Sequence, residues 1–193
     1  DLIVVPRRAA LAAGAIAAIA YGAGAWAVAP RLPAGDEPHY LIVTQSLLAD
    51  RDLQIENNHQ KGDYRAYFGG VLPPHYLRRG ANLEIYSIHA PGLPLLVAPA
   101  FALFGFAGVK AALLLASAAA TALAWLLAWR VTRDPAASWF AWAAVAFSAP
   151  LFFHTFAVYP DAPGAALMLI GVLPLVDERW REPRRLLLVG AAL

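Results

Sequence analysis

Asp36 and Glu37 are adjacent carboxylates in Gly35-Asp36-Glu37-Pro38-His39-Tyr40, directly after the first long apolar run of the chain. Carboxylates placed there stand at a membrane surface, where an acid could meet a lipid-borne and a water-borne substrate together. That position suits general base work or the orientation of an attacking hydroxyl. The competing reading of Asp36 is a plain helix cap, since Pro38 follows at the first turn. A third acid, Asp161, is the only charged residue between Asp134 and Asp177. An ionisable group in so apolar a neighbourhood is a functional candidate; its plain alternative is a cap for the following helix. His89, in Tyr86-Ser87-Ile88-His89-Ala90-Pro91-Gly92, has three readings: ligand to a divalent metal ion, phosphate contact, or helix start. No histidine pair in the chain has helical metal-ligand spacing.

The surroundings of these residues are unusual for a connector. Between Arg31 and Ala90 lie seven of the thirteen acidic residues and four of the five histidines (His39, His59, His75, His89). Tyrosines and basic residues are interleaved with them. Long loops of this composition tend to bind or catalyse. Lys61, Arg65, Arg78 and Arg79 are candidates for a phosphate, arginine being suited to bidentate contact; taken singly, each also reads as solvated surface. His39 and Tyr40, candidate substrate contacts, follow the acids at the start of a helix on which Leu41, Thr44, Leu47 and Leu48 recur. This predicts an amphipathic juxtamembrane helix ending near Asp50.

The elements that must position these groups are membrane helices. The chain is 60 % hydrophobic and 15 % charged, with a mean hydropathy of +0.55, against about 25 % charged in a typical soluble domain. Its apolar residues come in blocks near the length that crosses roughly 30 Å of hydrocarbon. Spans are expected at about 9–29, 109–131, 136–157 and 162–176, with a fifth starting near Leu186. The absence of cysteine excludes disulfides and thiolate metal sites. The ends, Asp1 and an unfinished apolar run, suggest a piece of a longer polytopic protein. The fold class expected is all-α, a polytopic transmembrane helix bundle with a large outer loop carrying juxtamembrane helices, all within one membrane domain over 1–193.

Pro91 to Ala107 is apolar but short and carries Pro94 and Pro99. If it does not cross, the clusters Arg7/Arg8, Arg130/Arg133 and Arg179/Arg181/Arg184/Arg185 share one side, as the positive-inside rule requires. The segment 91–107 is therefore expected to lie in the interface, with a short true span as the alternative. The N-terminus is then cytoplasmic, and loop 31–90 and the turn at Asp161 are extracytoplasmic, in a multi-pass inner (plasma) membrane protein. Gly14, Ala18 and Gly22 predict close helix packing. Trp125, Trp129, Trp139 and Trp142 predict an interfacial belt.

In order along the chain, Gly35-Asp36-Glu37-Pro38-His39-Tyr40, His89-Ala90-Pro91-Gly92, the helix pair from Val109 to Ala157 and Tyr159-Pro160-Asp161 resemble the GT-C superfamily of membrane glycosyltransferases. The nearest likeness is to bacterial relatives of the protein O-mannosyltransferases and the lipid A aminoarabinose transferases. The likeness covers nearly the whole chain. It implies an inverting hexosyl or pentosyl transferase that takes sugar from a polyprenyl-phosphate donor on the outer face. Asp36 matches the family's first-loop acid and Asp161 its second-loop acid. His89 stands where some relatives carry a metal-touching Glu, so a divalent metal ion is the one cofactor the likeness suggests. The expected partners are the lipid-linked donor, membrane lipid and an acceptor of unassigned class; nothing points to nucleic acid. The alternatives are a transporter or channel subunit, or a non-catalytic scaffold with an extracytoplasmic binding cap. Transporters keep polar groups near mid-membrane, whereas the polar residues here crowd one loop.

Overall fold

A computed structural model describes residues 4–29 and 31–176. Over these the protein is mostly helical: α1 (Val4–Ala27), α2 (Glu37–Ala49), α3 (Glu56–Lys61), α4 (Gly92–Thr132), α5 (Pro135–Ala146), α6 (Ala149–His154) and α7 (Asp161–Val176). A short 3-10 turn covers Asp63–Ala66. The all-α expectation needs one correction: β1 (Tyr76–Arg79) and β2 (Glu84–Ser87) form an antiparallel hairpin, with Tyr76 opposite Ser87 and Arg79 opposite Glu84. The expected fifth span and the last basic cluster lie outside the described residues.

Two helices, Pro6–Ala27 and Gly92–Thr132, are long and apolar enough to cross a membrane. The second matches the expected division at its own glycine. Gly105 leaves the helix at φ 58, ψ −145, a region essentially closed to side chains. Beyond it the chain bends so sharply that a Cβ at Gly108 would strike the Ala100 carbonyl. The expected span 136–157 is overturned as one helix. Ser148 and Pro150 start a new helix, leaving α5 with 12 residues and α6 with 6. At 1.5 Å per residue, α5 covers only about 18 Å.

The chain divides into two compact units. Among the described residues, one comprises 4–27, 114–156 and 160–176. Its core packs Ala10, Ala13, Ala17 and Tyr21 of α1 against Ala118, Trp125, Trp142 and Ala146. Gly14 admits the close approach expected of it, since a Cβ there would lie 3.2 Å from that of Ala122, but Gly22 meets nothing within 4 Å. The tryptophan belt is also corrected. Trp125 and Trp142 are buried, and Trp125, Trp129, Trp139 and Trp142 stack edge and face at 5.3–5.9 Å. Trp125 and Trp142 pack in this unit's core, with Trp129 and Trp139 partly buried against it. Arg130 donates to the Leu173 carbonyl at 2.8 Å, satisfying one of the last acceptors of α7.

The other unit comprises residues 28–113 and 157–159. Its core gathers Leu41, Ile42 and Val43 of α2 with Ile55, Tyr64, Tyr67, Val97, Val109 and Val158. The helix boundaries expected for α2 hold, but its amphipathic character does not. Glu37, Pro38, His39, Leu41, Ile42, Val43, Thr44 and Ser46 are all buried, so α2 is this unit's central helix rather than a surface one. Several buried polar groups on and beside it are hydrogen-bonded. Ser46 Oγ donates to Asp52 Oδ1 at 2.8 Å, and Asn58 Nδ2 to Asp50 Oδ2 and Asp63 Oδ2 at 2.8 and 3.0 Å.

Candidate functional site

The turn before α2 sets the site. Gly35 takes φ +58, and a Cβ on it would meet the Tyr159 hydroxyl at 3.0 Å. Glu37 N donates to Ala34 O at 3.2 Å, closing the turn around Gly35 and Asp36. The two neighbouring carboxylates then part company. Glu37 is 1 % exposed. Its Oε1 accepts from Arg31 at 2.7 Å and from Ala34 N at 3.3 Å, and its Oε2 from Val158 N at 2.9 Å. The expectation of two carboxylates at the surface is thus corrected to one, because the second has three donors inside the unit.

Asp36 is the exposed one. It precedes α2 in cap position, yet its side chain makes no capping hydrogen bond. The carboxylate is 47 % exposed and turns to the hairpin instead, with Oδ1 at 3.5 Å from His75 Nδ1 and 3.9 Å from His89 Nε2. His75 Nδ1 and His89 Nε2 are 3.4 Å apart. The hairpin explains this meeting: His75 leads into β1 and His89 follows β2, and Ile88 N donates to the His75 carbonyl at 3.2 Å. His39, buried on α2, stacks on the His75 ring at 3.8 Å between centroids. Tyr40 tilts against His89 at 4.8 Å. Four residues singled out in the sequence, Asp36, His39, Tyr40 and His89, therefore meet here. His75 was missed as a site residue; the signal was two histidines flanking segments able to pair across Gly80-Ala81-Asn82.

Burial favours the neutral form of His39 and of His89. Burial, with the nearby His75, His89 and His59, lowers His39 to about 4, against the opposing pull of Asp36. Burial also lowers His89, again against Asp36. His89 lines a cleft of about 570 Å³ together with Arg79, Tyr86, Val43 and Leu53. Of the four basic candidates, Arg79 is the one on this cleft. Lys61 reaches Asp50 at 3.6 Å, Arg65 folds over Gly62, and Arg78 lies 5.8 Å over the Tyr76 ring.

Asp161 belongs to the other unit, at the start of α7, where its Oδ1 is 3.7 Å from His154 Nδ1.

His59 supplies a pH test of the second unit. Its Nδ1 lies 3.1 Å from the Leu72 carbonyl, so the neutral ring carries its proton there, and Nε2 is buried without a partner. Burial lowers its pKa despite that bond. A lowered folded value means that the unfolded chain takes up the proton first. The contribution is therefore complete above about pH 6.5 and is lost as pH falls towards the folded value. Thermal unfolding in detergent should show a falling midpoint between about pH 7 and 5, with a shallower fall in His59→Gln.

Comparison with known protein families, curated proteins and solved structures finds no match to this chain.

Proposed function

We propose that the protein is a membrane glycosyltransferase that moves a sugar from a polyprenyl-phosphate donor to a hydroxyl acceptor, with inversion, and that Asp36 is its base or acceptor-orienting group. The observation that carries the reading is the state of Asp36. Its carboxylate is withheld from capping α2, half exposed and beside a cleft wall, while its neighbour Glu37 is buried and engaged. A base needs an accessible, ionised oxygen held by a rigid support.

In the proposed step the acceptor oxygen attacks the sugar's anomeric carbon from the face opposite the phosphate. The new C–O bond forms as the bond to the phosphate oxygen breaks. The phosphate leaves with the electron pair, and the acceptor proton passes to Asp36. The lipid phosphate is already a leaving group, so positioning and deprotonation are the main demands on the protein. Arg79 on the cleft is the side chain assigned to the donor phosphate. Asp161 enters the proposal through the family likeness alone, as do the inner-membrane location and the extracytoplasmic side of the reaction.

The test is turnover of a short-chain polyprenyl-phosphate sugar by the full-length protein in proteoliposomes. Release of polyprenyl phosphate that depends on the protein is the expected result. No release with hexosyl or pentosyl donors, in the presence of membrane acceptor extracts, would remove the reading.

A further inference from the structure

We propose that Asp36, His75 and His89 hold a divalent transition-metal ion of the zinc class. The three ligand atoms form a triangle with sides of 3.4, 3.5 and 3.9 Å. The two nitrogen–carboxylate sides are too long for hydrogen bonds, which close at about 2.7–3.2 Å. They suit atoms that share an ion. The point equidistant from such corners lies about 2.1 Å from each, within the Zn–N and Zn–O range of roughly 2.0–2.2 Å. Ligands around a tetrahedral ion stand about 3.3–3.4 Å apart, so a slight closing of Asp36 would lift the ion from the plane and leave a fourth position open. Two imidazole nitrogens with one carboxylate favour zinc, cobalt or iron over magnesium and calcium, which prefer oxygen.

Packing and backbone hydrogen bonds hold the two histidines. His39 is 3 % exposed and lies flat on the His75 ring, and its own Nδ1 is buried without a partner. The Ile88–His75 backbone bond fixes the separation of the two histidines, and Ser87 Oγ accepts from His89 N at 3.1 Å. Gly35 sets the angle at which Asp36 joins them. At 45 % and 47 % exposure, His75 and Asp36 leave the ion a path from solvent. The inference stands on this geometry and does not depend on the transferase reading. A metal held by one Asp36 oxygen would leave the other to the acceptor.

The experiment is metal binding by the detergent-purified full-length protein, stripped with chelator. Zinc is titrated by calorimetry, and cobalt by its visible d–d absorption. One ion per chain is expected, with intensified cobalt bands from a four-coordinate site. His75→Gln, at a half-exposed position where folding is not at stake, should weaken binding by at least about a hundredfold, since even second-shell losses reach that range. His154→Gln, in the other histidine–aspartate pair, should bind as the parent does. Absence of a stoichiometric ion in the parent, or unchanged affinity in His75→Gln, overturns the proposal. Because the readout is binding, the metal site and the sugar transfer can fail separately.

Discussion

Asp36→Asn is expected to lower sugar transfer by about 10²–10⁴-fold, the usual worth of a positioned general base, with the thermal midpoint nearly unchanged. The asparagine keeps the shape and an acceptor oxygen but cannot take the proton. Stability should be spared because Asp36 caps no backbone donor and is half exposed. The measurement is initial rate of polyprenyl-phosphate release at saturating donor, alongside unfolding of the same preparation. An equal rate in the variant would remove Asp36 from the proposed transfer.

Glu37→Ala should do the reverse, costing stability first. It strips the buried acceptor from Arg31, Ala34 N and Val158 N together. Breaking a fully buried ion pair costs about 3–5 kcal/mol. Arg31 is 39 % exposed and can rehydrate, so most of the loss falls on the stranded N–H groups, for about 2–4 kcal/mol in all. Thermal or denaturant unfolding of the variant measures it. Glu37→Gln retains an acceptor for one or two of the three donors and should lose less. The pair of adjacent residues thereby separates a stability role from a chemical one by two substitutions of similar size.

Local signals in the sequence were reliable where one residue dictates the backbone. Asp36 and Pro38 mark the start of α2, and its end falls one residue before Asp50. The division of α4 near residue 107 was legible from proline and charge distribution, and Gly105 supplies it. Pro150 could have been read in the same way, as a first-turn proline behind Ser148, but the unbroken apolar composition hid it. The hairpin was illegible for a different reason. β1 is exposed along its whole length and β2 is half-buried throughout, so neither shows the alternation by which a strand is recognised. With the hairpin went His75, and with His75 the approach of two imidazoles fourteen residues apart. The tryptophans were misplaced because composition alone cannot tell an aromatic cluster in a protein core from one at a lipid boundary.

The hydrogen bond from Val158 to Glu37 spans 121 residues. Chain growth at about 5–20 residues per second means that Glu37 is synthesised roughly 6–24 s before its partner exists. During that interval the Asp36 turn has Arg31 and Ala34 to hold it but lacks the segment Ala157–Tyr159 that completes its unit. A nascent chain halted before residue 157 would carry the acid without the finished cradle. Biogenesis itself therefore orders the events: the loop that bears Asp36 is made early and finished late.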